Sequence, residues 1–468
     1  MTRRELLASG LLLSADGEEV NDVHSQLNAT RVARVARVRT VEELREIVRS
    51  GRAVSISGSR HSMGGQQFGS GTALLDMRGM NRVLGLDLES RTIAVEAGIE
   101  RPELLEALAG APLGIVQKQT GADRLTLGGA LASNVHGRGL RLRPIINDVE
   151  SFTLLNAAGE LLTCSRNSNP ELFQLAIGGY GLFGAITSIR LRLTPRVKVR
   201  RVVKLAETAG IGEAFAERIR DGYLYGDFQF ATDSKQDNFL RRGVFSCYQP
   251  VDAATPLTAS PTRFRPEDWA KLIYYSHTHK RRAFKYYTER YLKTSGQIYY
   301  HDWQLSAAYQ PGYHTEIDRR TRAKVKATEM ITEIYVRRAG LEAFMEEARR
   351  ELRALRANLV YGTVRLIERD EESFLRWARE SFACIIFNLH VTHDAVGLEA
   401  AGRAFRTLID LGIAHGGSYY LTYHKWASRG QVERCYPQFR EFLAKKLQND
   451  PGEVFQSEWY RHHKALLA

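Results

Sequence analysis

Glycine in the first 190 residues of this 468-residue chain is concentrated in three stretches: Gly58-Ser-Arg-His-Ser-Met-Gly-Gly65, then TGADRLTLGGALASNVHGRG over 120–139, then GGYGLFGAITSI over 178–189. Such stretches mark where the backbone must turn tightly or approach another group closely. The third contains the spacing GxGxxG, Gly179 to Gly184. A dinucleotide turn of that spacing runs strand, glycines, helix. Here NPELFQLAI, a helical pattern, precedes the glycines and AITSIRLRLTP, an alternating strand, follows them. The reversed order excludes the NAD-type turn. The first stretch follows the strand-like AVSIS, and glycines with a serine at that place suggest a backbone bent to meet a phosphate. His61, in the middle of it, is either incidental or does different chemistry.

The other signals up to Pro195 are short elements. TVEELREIVRS predicts a helix capped by Thr40, and RPELLEAL a second with Pro102 in its first turn. TIAVEAGI alternates like a strand, and FTLLNAAGELLTCS reads as two strands about a turn at 157–159. After Pro195 the texture changes. Residues 250–267 carry Pro250, Pro256, Pro261 and Pro266 and predict an irregular excursion. HKRRAFKYYTERYLKT is basic and aromatic together. It reads either as a helix with tyrosines inward and arginines in water, or as a mobile lid or membrane-surface patch. From 326 to 425, KATEMITEIYV, NLVYGTVRLI, ACIIFNLHVTH and SYYLTYHKW read as strands. GLEAFMEEARRELRALRA, DEESFLRWA and GLEAAGRAFRTLIDLGIA read as helices between them. That rhythm predicts an α+β domain, an antiparallel sheet with helices on one face.

Composition narrows the class. The length favours two domains, and 44% hydrophobic with 25% charged residues is that of a globular protein. The net charge of +13 suits an anionic cofactor, substrate or surface. No RNP, zinc-finger or helix-turn-helix signature accompanies it, so no nucleic acid is expected. Cys164, Cys247, Cys384 and Cys435 are scattered without a CxxC pair and are expected to be reduced thiols, with no metal site. The start, TRRELLASGLLLS, reads as a short helix of a cytoplasmic protein, with a twin-arginine export signal as the alternative.

Taken together, the three glycine stretches resemble the PCMH-type FAD domain of the vanillyl-alcohol oxidase family, over roughly residues 30–196. The resemblance implies a two-subdomain FAD-binding domain at 33–196, preceded by an extension at 1–32. A substrate cap at 197–425 would follow, and a segment at 426–468 would return to the FAD domain. It also implies the cofactor-binding residues: Gly58, Ser59, Arg60, His61 and Ser62 in the first loop, and Gly121, Thr126, Gly128, Gly129 and Ser133 in the second. His136, Gly137, Gly184 and Ile186 complete them. Members similar to alditol oxidases and cytokinin dehydrogenases carry a G-x-x-H-S loop whose histidine is bonded to the flavin 8α-methyl. Gly58 to Ser62 fits that pattern, which implies FAD attached covalently to His61. Neutral imidazole is the competent nucleophile, and Arg60 is expected to keep it neutral by charge repulsion.

Ser418-Tyr-Tyr-Leu-Thr-Tyr-His-Lys425 and DPGEVFQSEWYRHH (450–463) resemble the ends of decaprenylphosphoryl-ribose and aldonolactone oxidases. By that resemblance Lys425 is the leading active-site candidate, its ammonium stabilising reduced flavin or a substrate oxygen. On NLHV, Asn388 and His390 share a face, and His390 is a candidate to take an alcohol proton. Arg365 is a candidate anchor for an anionic or hydroxylated substrate. His393, His424, Tyr423 and Tyr460 are weaker candidates. The expected reaction is hydride transfer from a CH–OH group of a sugar-like alcohol or lactone to flavin N5. The acceptor is oxygen or a redox partner, and a bulky Val135 at the flavin edge favours a dehydrogenase. Two alternatives stand beside this: a lipid-linked sugar oxidase in peripheral contact with a membrane, and a flavin-binding protein without turnover.

Overall fold

The computed structural model describes residues 17–117, 123–303 and 312–468. The twin-arginine start and Gly121 lie outside the described residues. Three sheets, with a two-stranded ribbon (Glu18–Val20 and Thr30–Val32), organise the chain.

The first sheet is small and parallel, with Ala73–Asp76 between Arg34–Arg37 and Val54–Ser57. Parallel neighbours need a crossover, and the helix Val41–Arg49 supplies one. Thr40 caps it by accepting from the Glu43 amide, and Leu44 and Val48, four residues apart, turn inward. A distant segment completes the sheet. Phe455 bridges to Val54 in parallel fashion, with Val54 N donating to Val454 O and Gln456 N to Val54 O, and Phe455 packs among Val38, Leu44 and Leu75.

The second sheet is antiparallel, in the order Leu161–Ser165, Val149–Leu155, Ala185–Pro195, Thr92–Glu96, Val83–Asp87, with Leu113–Ile115 paired to the far end of Ala185–Pro195. The helices Arg101–Ala107, Leu127–Ala132 and Pro170–Ala176 pack on it around Leu104, Leu131, Phe152 and Phe173.

The third sheet has eight antiparallel strands, in the order Ile298–Tyr300, Lys198–Glu207, Arg242–Pro250, Tyr225–Phe230, Leu359–Ile367, Phe382–Thr392, Ala327–Arg337, Ser418–Tyr419. Helices cover both faces, which corrects the one-face expectation. Successive strand residues point to opposite sides. On Arg242–Pro250, Phe245 meets Phe215 of the helix Ile211–Arg220, on the side where Leu341–Ala354 and Ala395–Ala414 also pack. Its neighbour Val244 packs instead with Leu272, Ala283 and Tyr287 of the helices Pro266–Thr278 and Lys280–Leu292. In the second of these helices Tyr287 is buried while Arg281, Arg282 and Lys285 are exposed.

Two further expectations fail locally. DEESFLRWA forms turns rather than a helix, because the Asp370 carboxylate accepts from the Glu372 and Ser373 amides and from Asn134 Nδ2. Such side-chain-to-backbone bonding competes with helical bonding. In SYYLTYHKW only Ser418–Tyr419 is a strand. Beyond it the backbone bonds to the first glycine loop: Leu421 O accepts from Gln66 Nε2 and Thr422 O from Met63 N. No helix among the described residues is long and apolar enough to cross a membrane.

Candidate active site

Where the three sheets meet, a cavity encloses about 1360 Å³ of atom-free space, its open mouth included. All three glycine stretches line it. From the first come Gly58, Ser59, Arg60, His61 and Ser62; from the second Thr126, Gly128, Gly129, Ser133 and Val135; from the third Gly181, Gly184 and Ile186.

The glycines are dictated by space. A Cβ on Gly58 would fall 2.0 Å from Thr126 Oγ1. Gly184 has φ +142, and a Cβ there would fall 2.5 Å from Leu155 O. Thr126 caps the helix Leu127–Ala132 by accepting from Gly129 N, which brings this small-residue segment against the first loop. No described residue accepts from the backbone amides of Ser59, Arg60 or Ser62, and Arg60 Nε and Gln67 Oε1 are buried without a hydrogen-bond partner. Donors without a described partner, with the Gln67 oxygen beside them, suit a polar and acceptor-rich ligand in a glycine-walled cavity, because leaving buried polar groups unsatisfied costs about 1–3 kcal/mol each. The donor set and the room fit the pyrophosphate and ring system of FAD. Ser59 to Ser62 would hold the anion, and the glycine and small-residue walls the flat ring.

His61 is held at both ring nitrogens. Its Nε2 lies 2.8 Å from Arg124 O, and its Nδ1 lies 2.7 Å from His24 Nε2. A carbonyl only accepts, so Nε2 carries the hydrogen and the lone pair sits on Nδ1. Burial lowers the imidazole pKa to about 4, partly offset by Arg124 O and Glu100. Charge repulsion by Arg60 plays no such part. That residue sits at φ +60 with its guanidinium 5.9 Å from the Phe68 ring centroid, and its charge interacts mainly with Asp76.

The cap closes the cavity with Ile331, Tyr420, Thr422 and Tyr423. The face of the eight-stranded sheet behind them carries buried polar groups in register. Cross-strand pairs point the same way, so Arg365 with Cys384, Thr363 with Ile386 and Glu333, and Asn388 with Ile331 share it. At its centre Glu333, 1% exposed, accepts from Tyr335 and Cys384 and lies 2.5 Å from His136 Nε2, with the Tyr423 hydroxyl 3.3 Å away. Burial would raise its carboxyl pKa, but His136 and these donors hold it near 2. Glu333 went unnoticed in the sequence, although an ionisable residue inside the apolar run EMITEIYV is a legible signal.

Several expected residues lie elsewhere. His136 does not line the cavity; it faces Glu333 and Trp377. Gly137 is also absent from the lining, its amide donating to Gln117 Oε1. Lys425 sits behind the first loop, its Nζ 3.3 Å from where a Gly65 Cβ would be, with Glu458 as its nearest charge influence. The alternation expected across 418–425 is lost once the chain leaves the sheet, and Tyr420, Thr422 and Tyr423 line the cavity instead. Arg365 is 4% exposed, and its Nε lacks a partner. His390 lies one strand register beyond Asn388, beside His277. His393 bonds Thr328, His424 bonds Thr332 against Phe405, and Tyr460 donates to Glu453, all away from the cavity.

Comparison with known proteins agrees with this geometry. Residues 32–165 match the family described as FAD binding domain. Bovine L-gulonolactone oxidase is 33% identical over 161 residues, 34% of this chain and 36% of that protein. The decaprenylphosphoryl-beta-D-ribose oxidase of Mycolicibacterium smegmatis is 28% identical over 200 residues, covering 42% and 43%. A mitochondrial L-galactono-1,4-lactone dehydrogenase of rice is 33% identical over 127 residues, 27% and 22%. The matched part thus spans less than half the length of each of these relatives. Over residues 32–165 the chain is thus similar to an FAD-binding domain.

Proposed function

We propose that this protein is an FAD-dependent oxidoreductase that oxidises a CH–OH group of a sugar-like alcohol or lactone, with FAD attached covalently to His61. The carrying observation is that a buried, neutral imidazole shares one cavity with the glycine cradle. FAD, when bound, accepts the hydride. The chain's part is to bind, orient and exclude water. The Ser59, Arg60 and Ser62 amides take the anionic portion, and Gly58, Gly128 and Gly129 let the ring approach the backbone. Burial keeps a lone pair on His61 at neutral pH, which attachment requires. Tyr423, Tyr420 and Ile331 shut the cap side.

Asn388 Oδ1 and Arg365 Nε are buried on the cap-sheet face without partners, and Asn388 is the cross-strand neighbour of the cavity-lining Ile331. Substrate hydroxyls would satisfy both, which is why a polyhydroxylated substrate is the class proposed. The printed names of the relatives, two lactone oxidoreductases and a ribose oxidase, point the same way.

The deciding experiment is acid denaturation of the purified protein followed by gel electrophoresis under ultraviolet light. A fluorescent flavin band that vanishes in His61→Ala is the expected result. Flavin released wholly to the supernatant would overturn the covalent link. A folded, FAD-supplemented preparation with no flavin in either fraction would overturn the reading altogether.

A further inference from the structure

Two clusters of histidine and carboxylate lie on the cap-sheet face, and they differ in one respect. Around Glu333, His136 and Cys384, both ring nitrogens of His136 and both carboxylate oxygens have partners. Around Glu329 they do not. Glu329, on Ala327–Arg337, stands opposite His390 on Phe382–Thr392. His277, on the helix Pro266–Thr278, places Nε2 2.5 Å from Glu329 Oε1. His314, on the helix Tyr313–Thr321, places Nδ1 3.2 Å from Glu329 Oε2. One ligand atom each from His277, Glu329 and His390 lie within 4.8 Å of one another. Yet His390 Nδ1, His314 Nε2 and Glu329 Oε2 are buried without a hydrogen-bond partner. Glu329 is 3% exposed and His314 4%.

We propose that His277, Glu329 and His390, with His314 beside them, bind a divalent transition-metal ion of the zinc class. Three arguments converge. The donors are imidazole nitrogens and a carboxylate oxygen with no thiol, the set that suits zinc and its first-row neighbours. The far nitrogen of His277 is already anchored: Nδ1–H donates to Ile273 O at 2.8 Å, which aims Nε2 at the carboxylate, where the ion would replace the proton between them. Ligating histidines are held in this manner by a backbone acceptor. Bonds of about 2.0–2.2 Å place neighbouring ligand atoms about 3.3 Å apart in a tetrahedral site. The His277–Glu329 contact therefore opens by under about an ångström, while the wider separations close. The ion would take a lone pair from each of the three ligands and tie the helix Pro266–Thr278 to the strands Ala327–Arg337 and Phe382–Thr392. It would also make His390 a ligand rather than the proton acceptor its position in the sequence suggested. No spaced motif announces the site, because its three ligands come from three separate elements.

The test is metal content, which does not depend on flavin binding or turnover. Tag-free holoprotein is stripped with EDTA, loaded separately with Zn2+ and Co2+, desalted and measured by mass spectrometry and by the visible ligand-field bands of Co2+. One tightly held ion per chain is expected. Affinity should fall by about tenfold or more in His277→Ala and Glu329→Gln, and be unchanged in His279→Ala, an exposed histidine nearby. Failure of the folded wild type to retain either ion would overturn the proposal. Retention unaltered in folded Glu329→Gln and His277→Ala would overturn it too. Should those variants not fold, the Co2+ spectrum of the wild type decides: intense bands of a four- or five-coordinate site sustain the proposal, and the weak bands of hydrated Co2+ refute it.

Discussion

The two walls of the cavity are built on opposite principles. The wall from the first 195 residues is made largely of glycines, small residues and backbone amides without a described acceptor, with the His61 imidazole among them. The cap wall is Ile331, Tyr420, Thr422 and Tyr423, and the sheet face behind it carries the polar side chains of Glu333, Arg365 and Asn388. A cofactor used by many proteins can be gripped by main-chain geometry. Discrimination among hydroxylated substrates needs placed side chains, and their burial is costly unless they are satisfied.

That contrast can be broken most forcefully at Glu333. Its carboxyl is depressed from an ordinary 4.5 to about 2, so the stability it contributes is fully present above about 4.5 and disappears as the pH falls toward 2. Glu333→Gln strips the charge from a buried pair, and a loss of about 3–5 kcal/mol is expected at pH 7. Urea unfolding at neutral and acidic pH checks both statements, since the variant should also lose the acid-dependent part.

On the backbone wall, Gly58→Ala should weaken FAD binding by one to two orders of magnitude, following the ~1–3 kcal/mol cost of overpacking. Flavin fluorescence titration measures it. Adding Thr126→Ala removes the atom the new methyl strikes and should restore part of the loss, a coupling that independent sites would not show. Tyr423→Phe deletes only a hydroxyl near Glu333. About 1 kcal/mol of stability should go, with FAD affinity nearly unchanged, as read by unfolding and titration in parallel. Lys425→Met should do least. Flavin content and turnover are expected to stay within about twofold, since Lys425 does not line the cavity. A collapse of turnover would return Lys425 to the active site and redraw the cap wall.

The same contrast explains what the sequence made legible. Glycine carries its meaning locally, because Gly58 and Gly184 are needed for space and dihedral angle, and so three loops could be recognised one by one. The helix at Val41–Arg49 was equally readable from Thr40 and the Leu44–Val48 spacing. The cap face was not. Glu333 matters through His136, nearly two hundred residues away, and nothing in either neighbourhood reveals the other. The ladder 418–425 was misread because alternation alone cannot say where a strand stops. Its end is set by Gln66 and Met63, which take over the hydrogen bonds. DEESFLRWA failed for a related reason, since Asp370 spends its carboxylate on Asn134 and on its own turn.

The segment around Phe455 that completes the three-stranded parallel sheet bears on how the protein is made. Hydrogen bonds just beyond the first glycine loop span 355 residues of sequence, from Gln66 to Leu421, and 388 residues, from Ser70 to Glu458. During synthesis the nucleotide-binding half therefore emerges from the ribosome with one sheet edge bare and its principal loop unanchored. It must wait in that condition until the ribosome has passed residue 458. Closing contacts of such length is slow, and an open strand edge invites pairing with other chains. The sheet edge at Val54 and the contacts at Gln66 and Ser70 therefore close only after those distant segments have been made.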